Sequence, residues 1–101
     1  MKLENEKALI RTIAEGNTKS FEVLFYSYYP RLKGFICDLL QSPEEAEDIS
    51  QDIFTTLWQN RTSLDKIDNI SAYLFRIAKN AVYRHIERNM PVSYTHLRAH
   101  E

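Results

Sequence analysis

A chain of 101 residues is one domain, and at that size it buries only roughly two-thirds of its unfolded surface, which excludes a large internal cofactor cavity. With 44% hydrophobic and 27% charged residues it is globular and not disordered, and two glycines with three prolines leave little material for turns, so an all-α bundle of about four helices is expected. The net charge of −1 divides into −4 over residues 1–60 (six Lys or Arg, ten Asp or Glu) and +3 over residues 61–101 (seven and four), which points either to two faces with different partners or to chance unevenness.

Residues 4–15 carry Ala8, Leu9, Ile10, Ile13 and Ala14 at helical spacing, stopped by Gly16 and Asn17. A second helix is expected to begin after Thr18 or Ser20, with Glu22 favourable near its N-terminus. Its stripe Phe21, Leu24, Phe25, Tyr28, Leu32, Phe35, Ile36 and Leu39 is continuous, but Pro30 predicts a kink or two abutting helices. The lone Cys37 lies in this apolar run, cannot form an internal disulfide, and reads as a small buried hydrophobe.

Ser42, Pro43, Glu44 and Glu45 make a strong helix start: a capping hydroxyl, proline at the first helical position, then acids at the positive end of the dipole. This third helix should reach about Asn60, with Ala46, Ile49, Ile53, Leu57 and Trp58 inward. A polar loop follows over residues 61–69. Ser71 is the expected cap of a fourth helix ending near Arg88, whose apolar face is Tyr73, Leu74, Ile77, Ala78, Ala81, Val82 and Ile86. Residues 1–17, 18–90 and 91–101 thus read as a leading helix, the main helical domain and a tail.

The third helix holds five acids, Glu44, Glu45, Glu47, Asp48 and Asp52, and no base. Asp48, Gln51, Asp52 and Thr55 recur at three- and four-residue steps and share one outward stripe. A basic partner would supply the missing countercharge, although a solvated helix face shows the same pattern. The fourth helix is the opposite: Arg76, Lys79, Arg84 and Arg88 beside Asn80, Tyr83 and His85, with Glu87 its single acid. Bases neutralise phosphates, while an amide and an aromatic ring bond to or stack on exposed bases, a mixture suited to single-stranded nucleic acid. A plain surface helix with four bases is the competing reading.

Taken in order, SFEVLFYSYYPRLKGFICDLL, SPEEAEDISQDIFTTLWQNR and SAYLFRIAKNAVYRHIER resemble region 2 of the extracytoplasmic-function sigma factors of bacterial RNA polymerase. The likeness covers about two-thirds of the chain, and PEEAEDISQDIFTTLW with AYLFRIAKNAVYRHI are its most specific pieces. The resemblance implies the helical fold of region 2 and a docking face for the β′ clamp of core polymerase made by Asp48, Gln51, Asp52 and Thr55, with apolar area from Phe54. It implies that Arg76, Lys79, Asn80, Tyr83, Arg84 and Arg88 meet the melted non-template strand of the minus-ten promoter element. It also implies that the loop holds a flipped base, with Ser63, Asp65, Lys66, Asp68 and Asn69 as its hydrogen-bonding groups.

Housekeeping members carry paired tryptophans where this chain has Arg76 and Ile77, so weaker intrinsic melting and stricter dependence on promoter sequence follow from the resemblance. An anti-sigma factor, the regulator such proteins imply, would hide one of the two faces.

Nothing in the chain corresponds to region 4, the family's reader of the minus-thirty-five element. The final VSYTHLRAHE resembles a translated sequencing-library adapter, which implies a truncated gene; a natural linker is the alternative. His96 and His100 have a spacing compatible with a metal, but no third ligand stands near, and no cofactor is expected. Neither a spanning apolar run nor a signal peptide is present, so a cytoplasmic protein without membrane insertion is expected.

No nucleophile–base pair or glycine-rich phosphate loop suggests an enzyme. The two rival readings are a helix-turn-helix repressor domain on duplex DNA, which needs a shorter turn than the roughly ten residues before the basic helix, and a helical protein-interaction module, which leaves that helix idle.

Overall fold

The computed structural model describes residues 6–88, which form α1 (Glu6–Ala14), α2 (Thr18–Leu40), α3 (Pro43–Gln59), a 3-10 helix (Arg61–Lys66) and α4 (Ile70–Arg88). The described residues contain no strand, and the all-α bundle is as expected. The tail and its two histidines lie outside them.

Each boundary has a local cause. Gly16 takes φ +99°, which closes α1, and Asn17 then caps α2 by accepting from the Ser20 N–H at 3.0 Å. Gln41, in the left-handed region at φ 57°, ends α2 by donating its N–H to the Cys37 carbonyl at 2.6 Å. Ser42 caps α3 through the Glu45 N–H at 3.3 Å, with Pro43 at the first position as expected.

Three expectations are corrected. Of the two outcomes expected at Pro30, division into abutting helices is excluded, because the second helix runs unbroken from Thr18 to Leu40. Leu24, Tyr28, Leu32 and Ile36, four residues apart on both sides of the proline, are all buried, and their packing outweighs one lost backbone hydrogen bond. The cap of α4 is Asn69 and not Ser71: the Asn69 Oδ1 accepts from the Ala72 N–H at 3.0 Å, and the helix begins at Ile70. Residues 61–69 are not simply polar loop, because the 3-10 helix buries Leu64 and the residue that follows it, Ile67, is half-buried.

The core joins all five elements. Ile10 and Ile13 of α1, the α2 stripe, Ala46, Ile53, Phe54 and Leu57 of α3, and Ile70, Leu74, Ala78 and Val82 of α4 form one cluster with Leu64. Each fully buried Leu or Ile contributes roughly 1.5–3 kcal/mol. Cys37 and Trp58 are half-buried against this cluster, so both fall short of the full burial expected for Cys37 and approach the core role expected for Trp58.

Candidate functional site

The outward stripe of α3 exists. Asp48, Gln51, Asp52 and Thr55 are all exposed. Its surroundings divide it, however. Gln51 and Thr55 border an open groove against the first half of α2, floored by Phe21, Phe25, Phe54 and Trp58. Asp52 turns to a second groove, of about 460 Å³, between α3, the 3-10 helix and α4.

Phe54 is the member of the expected docking set that the structure moves. Only 2% exposed, its ring lies 5.2 Å from Phe25, 6.2 Å from Phe21 and 6.0 Å from Tyr29, so it is a core residue and not a free contact. The apolar area beside Gln51 and Thr55 comes instead from Phe21, Phe25 and Trp58, half-buried residues that the helical spacing marked as core alone.

Countercharge for part of the acidic helix is internal. Glu47 pairs with Lys33 of α2 at 3.7 Å and accepts from the Gln51 amide at 3.3 Å; Glu45 meets His85 Nε2 of α4 at 3.0 Å. Such exposed pairs stabilise by at most about 1 kcal/mol each. Among the described residues, Glu44, Asp48 and Asp52 of this helix make no ion pair, and of these Asp48 and Asp52 lie on the outward stripe.

On α4, Arg76, Lys79, Asn80, Tyr83, Arg84 and Arg88 are exposed, and at 3.6 residues per turn they cover roughly half of the helix circumference, opposite Leu74, Ala78 and Val82. Tyr83 is 46% exposed, a large ring left at the surface. Arg76 lies over the Tyr73 ring at 5.6 Å. Arg84 and Arg88 edge the α3–α4 groove with Tyr73, Ile77 and Ala81, so basic groups stand over an apolar floor there.

Ser63, Asp65, Lys66, Asp68 and Asn69 are exposed on the connection between the two faces, and Ser63 lines the α3–α4 groove. The Asn69 side chain is already engaged through its Oδ1 in capping α4, which leaves only its amide nitrogen for another partner. Arg61 was missed by sequence reasoning. Its guanidinium lies 4.3 Å from the Trp58 ring centre and donates through Nη1 to the Trp58 carbonyl at 2.9 Å. The pair Trp58, Arg61 at a three-residue step was the available signal, overlooked because Arg61 stood in a segment read as solvated loop.

A charged helix pair of this kind suits several folds, and sequence similarity decides between them. Residues 24–91 match the family described as Sigma-70 region 2. The chain belongs to that family. Among its curated relatives, this region 2 chain is 31% identical over 75 residues to the ECF RNA polymerase sigma factor RpoE of Cereibacter sphaeroides, covering 72% of this chain and 41% of that protein.

It is 23% identical to the RNA polymerase sigma-H factor of Pseudomonas aeruginosa, over 82% of this chain and 43% of the relative, and 28% identical to the ECF RNA polymerase sigma factor SigW of Bacillus subtilis, over 87% and 47%. The region 2 chain therefore spans less than half the length of these relatives. The extracytoplasmic-function type inferred from the sequence agrees with two of the three names. No solved structure matches significantly. No helix among the described residues is long and apolar enough to cross a membrane.

Proposed function

We propose that this region 2 domain gives RNA polymerase its promoter specificity, with α3 on the polymerase and α4 on unpaired promoter DNA. One observation carries the reading: unpaired acids and exposed bases are segregated onto two helices of one small bundle. Asp48, Gln51, Asp52 and Thr55 dock on the β′ clamp, and the aromatic groove floored by Phe21, Phe25 and Trp58 supplies the apolar area first assigned to Phe54. Arg76, Lys79, Asn80, Tyr83, Arg84 and Arg88 bind the non-template strand of the minus-ten element, the basic side chains on phosphates and the exposed Tyr83 ring against an unpaired base. The loop groups Ser63, Asp65, Lys66 and Asp68, with the free amide nitrogen of Asn69, hold a flipped base. Holding it must offset an unstacking cost of a few kcal/mol.

In this role the domain does no chemistry of its own; it works in the cytoplasm beside the polymerase, and an anti-sigma factor would silence it by covering either face. The polymerase face is tested by retaining core polymerase on immobilised wild-type domain and on the Asp48→Arg, Asp52→Arg double variant. Reversing two charges should abolish retention, and equal recovery would remove the assignment. The DNA face is tested by comparing one promoter sequence as a non-template single strand and as a duplex. Preference for the single strand is expected; preference for the duplex would favour a repressor-like domain.

A further inference from the structure

The 3-10 helix that follows α3 packs against α1, but its backbone is weakly bonded. It is six residues long, has no capping side chain, and such helices have poorer hydrogen-bond geometry than α-helices. Backbone bonds from Ser63 N–H to Asn60 O and from Ile67 N–H to Leu64 O, both 3.0 Å, close its two ends. Leu64 pins its middle to the core. A loop that holds a base must keep its polar groups within about half an ångström of one geometry, and apolar packing, even with Ile67 half-buried beside Leu64, is less directional than a hydrogen-bonded anchor.

Arg61 is the second anchor, at the loop's first residue. Its guanidinium plane lies over Trp58, whose ring in turn meets Phe21 at 5.1 Å, and Nη1 is bonded to the Trp58 carbonyl. On the side of the α1–α2 turn, a Cβ at Gly16 would stand 3.9 Å from Arg61 Nε, so the turn passes at ordinary contact distance. Nε itself is buried without a hydrogen-bond partner. A buried N–H left unbonded costs stability, so a residue selected for stability alone is poorly served here. What arginine supplies that lysine or leucine does not is a flat, fixed group that stacks and hydrogen-bonds at once.

We propose that Arg61 is a positioning residue for base recognition: wedged between Trp58 and the Gly16 turn, it fixes the start of the 61–69 connection so that its polar groups present a single geometry beside the basic strip of α4. The inference rests on the base-holding reading of that loop. Arg61 touches no base; it acts through the backbone that carries Ser63, Asp65 and Asp68.

The test uses the full 101-residue chain, wild type and Arg61→Lys, with a sequence-randomised pool of single-stranded DNA about ten nucleotides long, a length within the site sizes of single-strand binders. Bound and unbound pools are sequenced to give the preference at each position. Arg61→Lys should keep overall affinity within about twofold while preference at one position falls about tenfold, the scale of one or two hydrogen bonds lost. Retained preference at every position, or a uniform loss at all positions together with a collapsed melting temperature, would overturn the proposal.

Amide hydrogen exchange gives a readout independent of DNA. Residues 62–67 should exchange about tenfold faster in Arg61→Lys with α3 and α4 unchanged, and unaltered exchange in the loop overturns the positioning role even where DNA binding is intact. A wild-type chain that selects no base at any position removes the base-holding reading and this inference with it.

Discussion

Tyr28 sits in the middle of α2 with 1% of its surface exposed, and its hydroxyl donates to Glu6 Oε2 at 2.8 Å. Burial chiefly, then the hydrogen bond to Glu6 and the Glu6 charge, push its phenol up to about 12, while Arg31 and Ser71 pull the other way. An unfolded tyrosine ionises near 10. The folded chain therefore keeps this proton over a range where the unfolded chain releases it, and the associated stability is intact below pH 10 and drains away between about 10 and 12. At about 1.4 kcal/mol per pH unit the full loss is about 3 kcal/mol.

Tyr28→Phe cannot ionise. Its unfolding free energy, measured by urea titration from pH 9 to 12, should approach and then overtake that of the wild type; a constant difference across the range would refute the assignment. Tyr28 was legible as a core residue because it falls on an unbroken four-residue repeat. Phe54 was not, because it lies roughly 70° round α3 from the centre of the Ala46–Ser50–Ile53–Leu57 stripe, at about 100° per residue. At that angle its burial depends on whether α2 closes over it, which Phe21, Phe25 and Tyr29 do. Periodicity on one helix carries no knowledge of its neighbour.

At the scale of elements, the boundaries set by strong local chemistry were legible. The Ser42–Pro43 start of α3 is where the sequence placed it, since a capping hydroxyl followed by proline has few other uses. The start of α4 offered two capping candidates, Asn69 and Ser71. Tertiary structure chose: Ile70 is wholly buried, and beginning the helix at that residue directs it into the core. Asn69→Ala should therefore cost about 1 kcal/mol, within a range of 0.5–2, whereas Asn69→Ser keeps an acceptor at the cap and should cost much less. Thermal melts check this, a 1 kcal/mol loss moving the midpoint by roughly 4–8 °C in a domain this small. If Asn69→Ala and Asn69→Ser melt together, the side chain does not cap α4. The 3-10 helix was hidden for a related reason: a six-residue element has no periodicity to read, and Leu64 stood alone among polar neighbours.

For the whole molecule, the sequence predicted opposite charge on two halves, and folding turns that linear division into separate surfaces. Not all of the charge stays available. Lys33 pairs with Glu47 and the His85 ring hydrogen-bonds Glu45 within the bundle, so the acids of the outward stripe that have no internal partner are Asp48 and Asp52. Asp52 borders the groove edged by Arg84 and Arg88, so it stands where the two surfaces approach, while Asp48 borders neither groove.

That difference makes the separation measurable. If single-stranded DNA follows the strip from Arg76 to Arg88 and meets about four phosphates, the logarithm of its affinity should fall against the logarithm of salt concentration with a slope near −3, each phosphate contributing about −0.7. Lys79→Ala removes one contact and should flatten the slope by about 0.7 while weakening binding to all sequences alike. Asp48→Asn changes the net charge by the same amount in the opposite sense, yet at physiological salt a charge on another face is screened beyond roughly 8 Å, so the slope should stay as it was. An equal response to Asp48→Asn would mean that DNA feels the summed charge of the whole molecule, and the division into two working surfaces would fail.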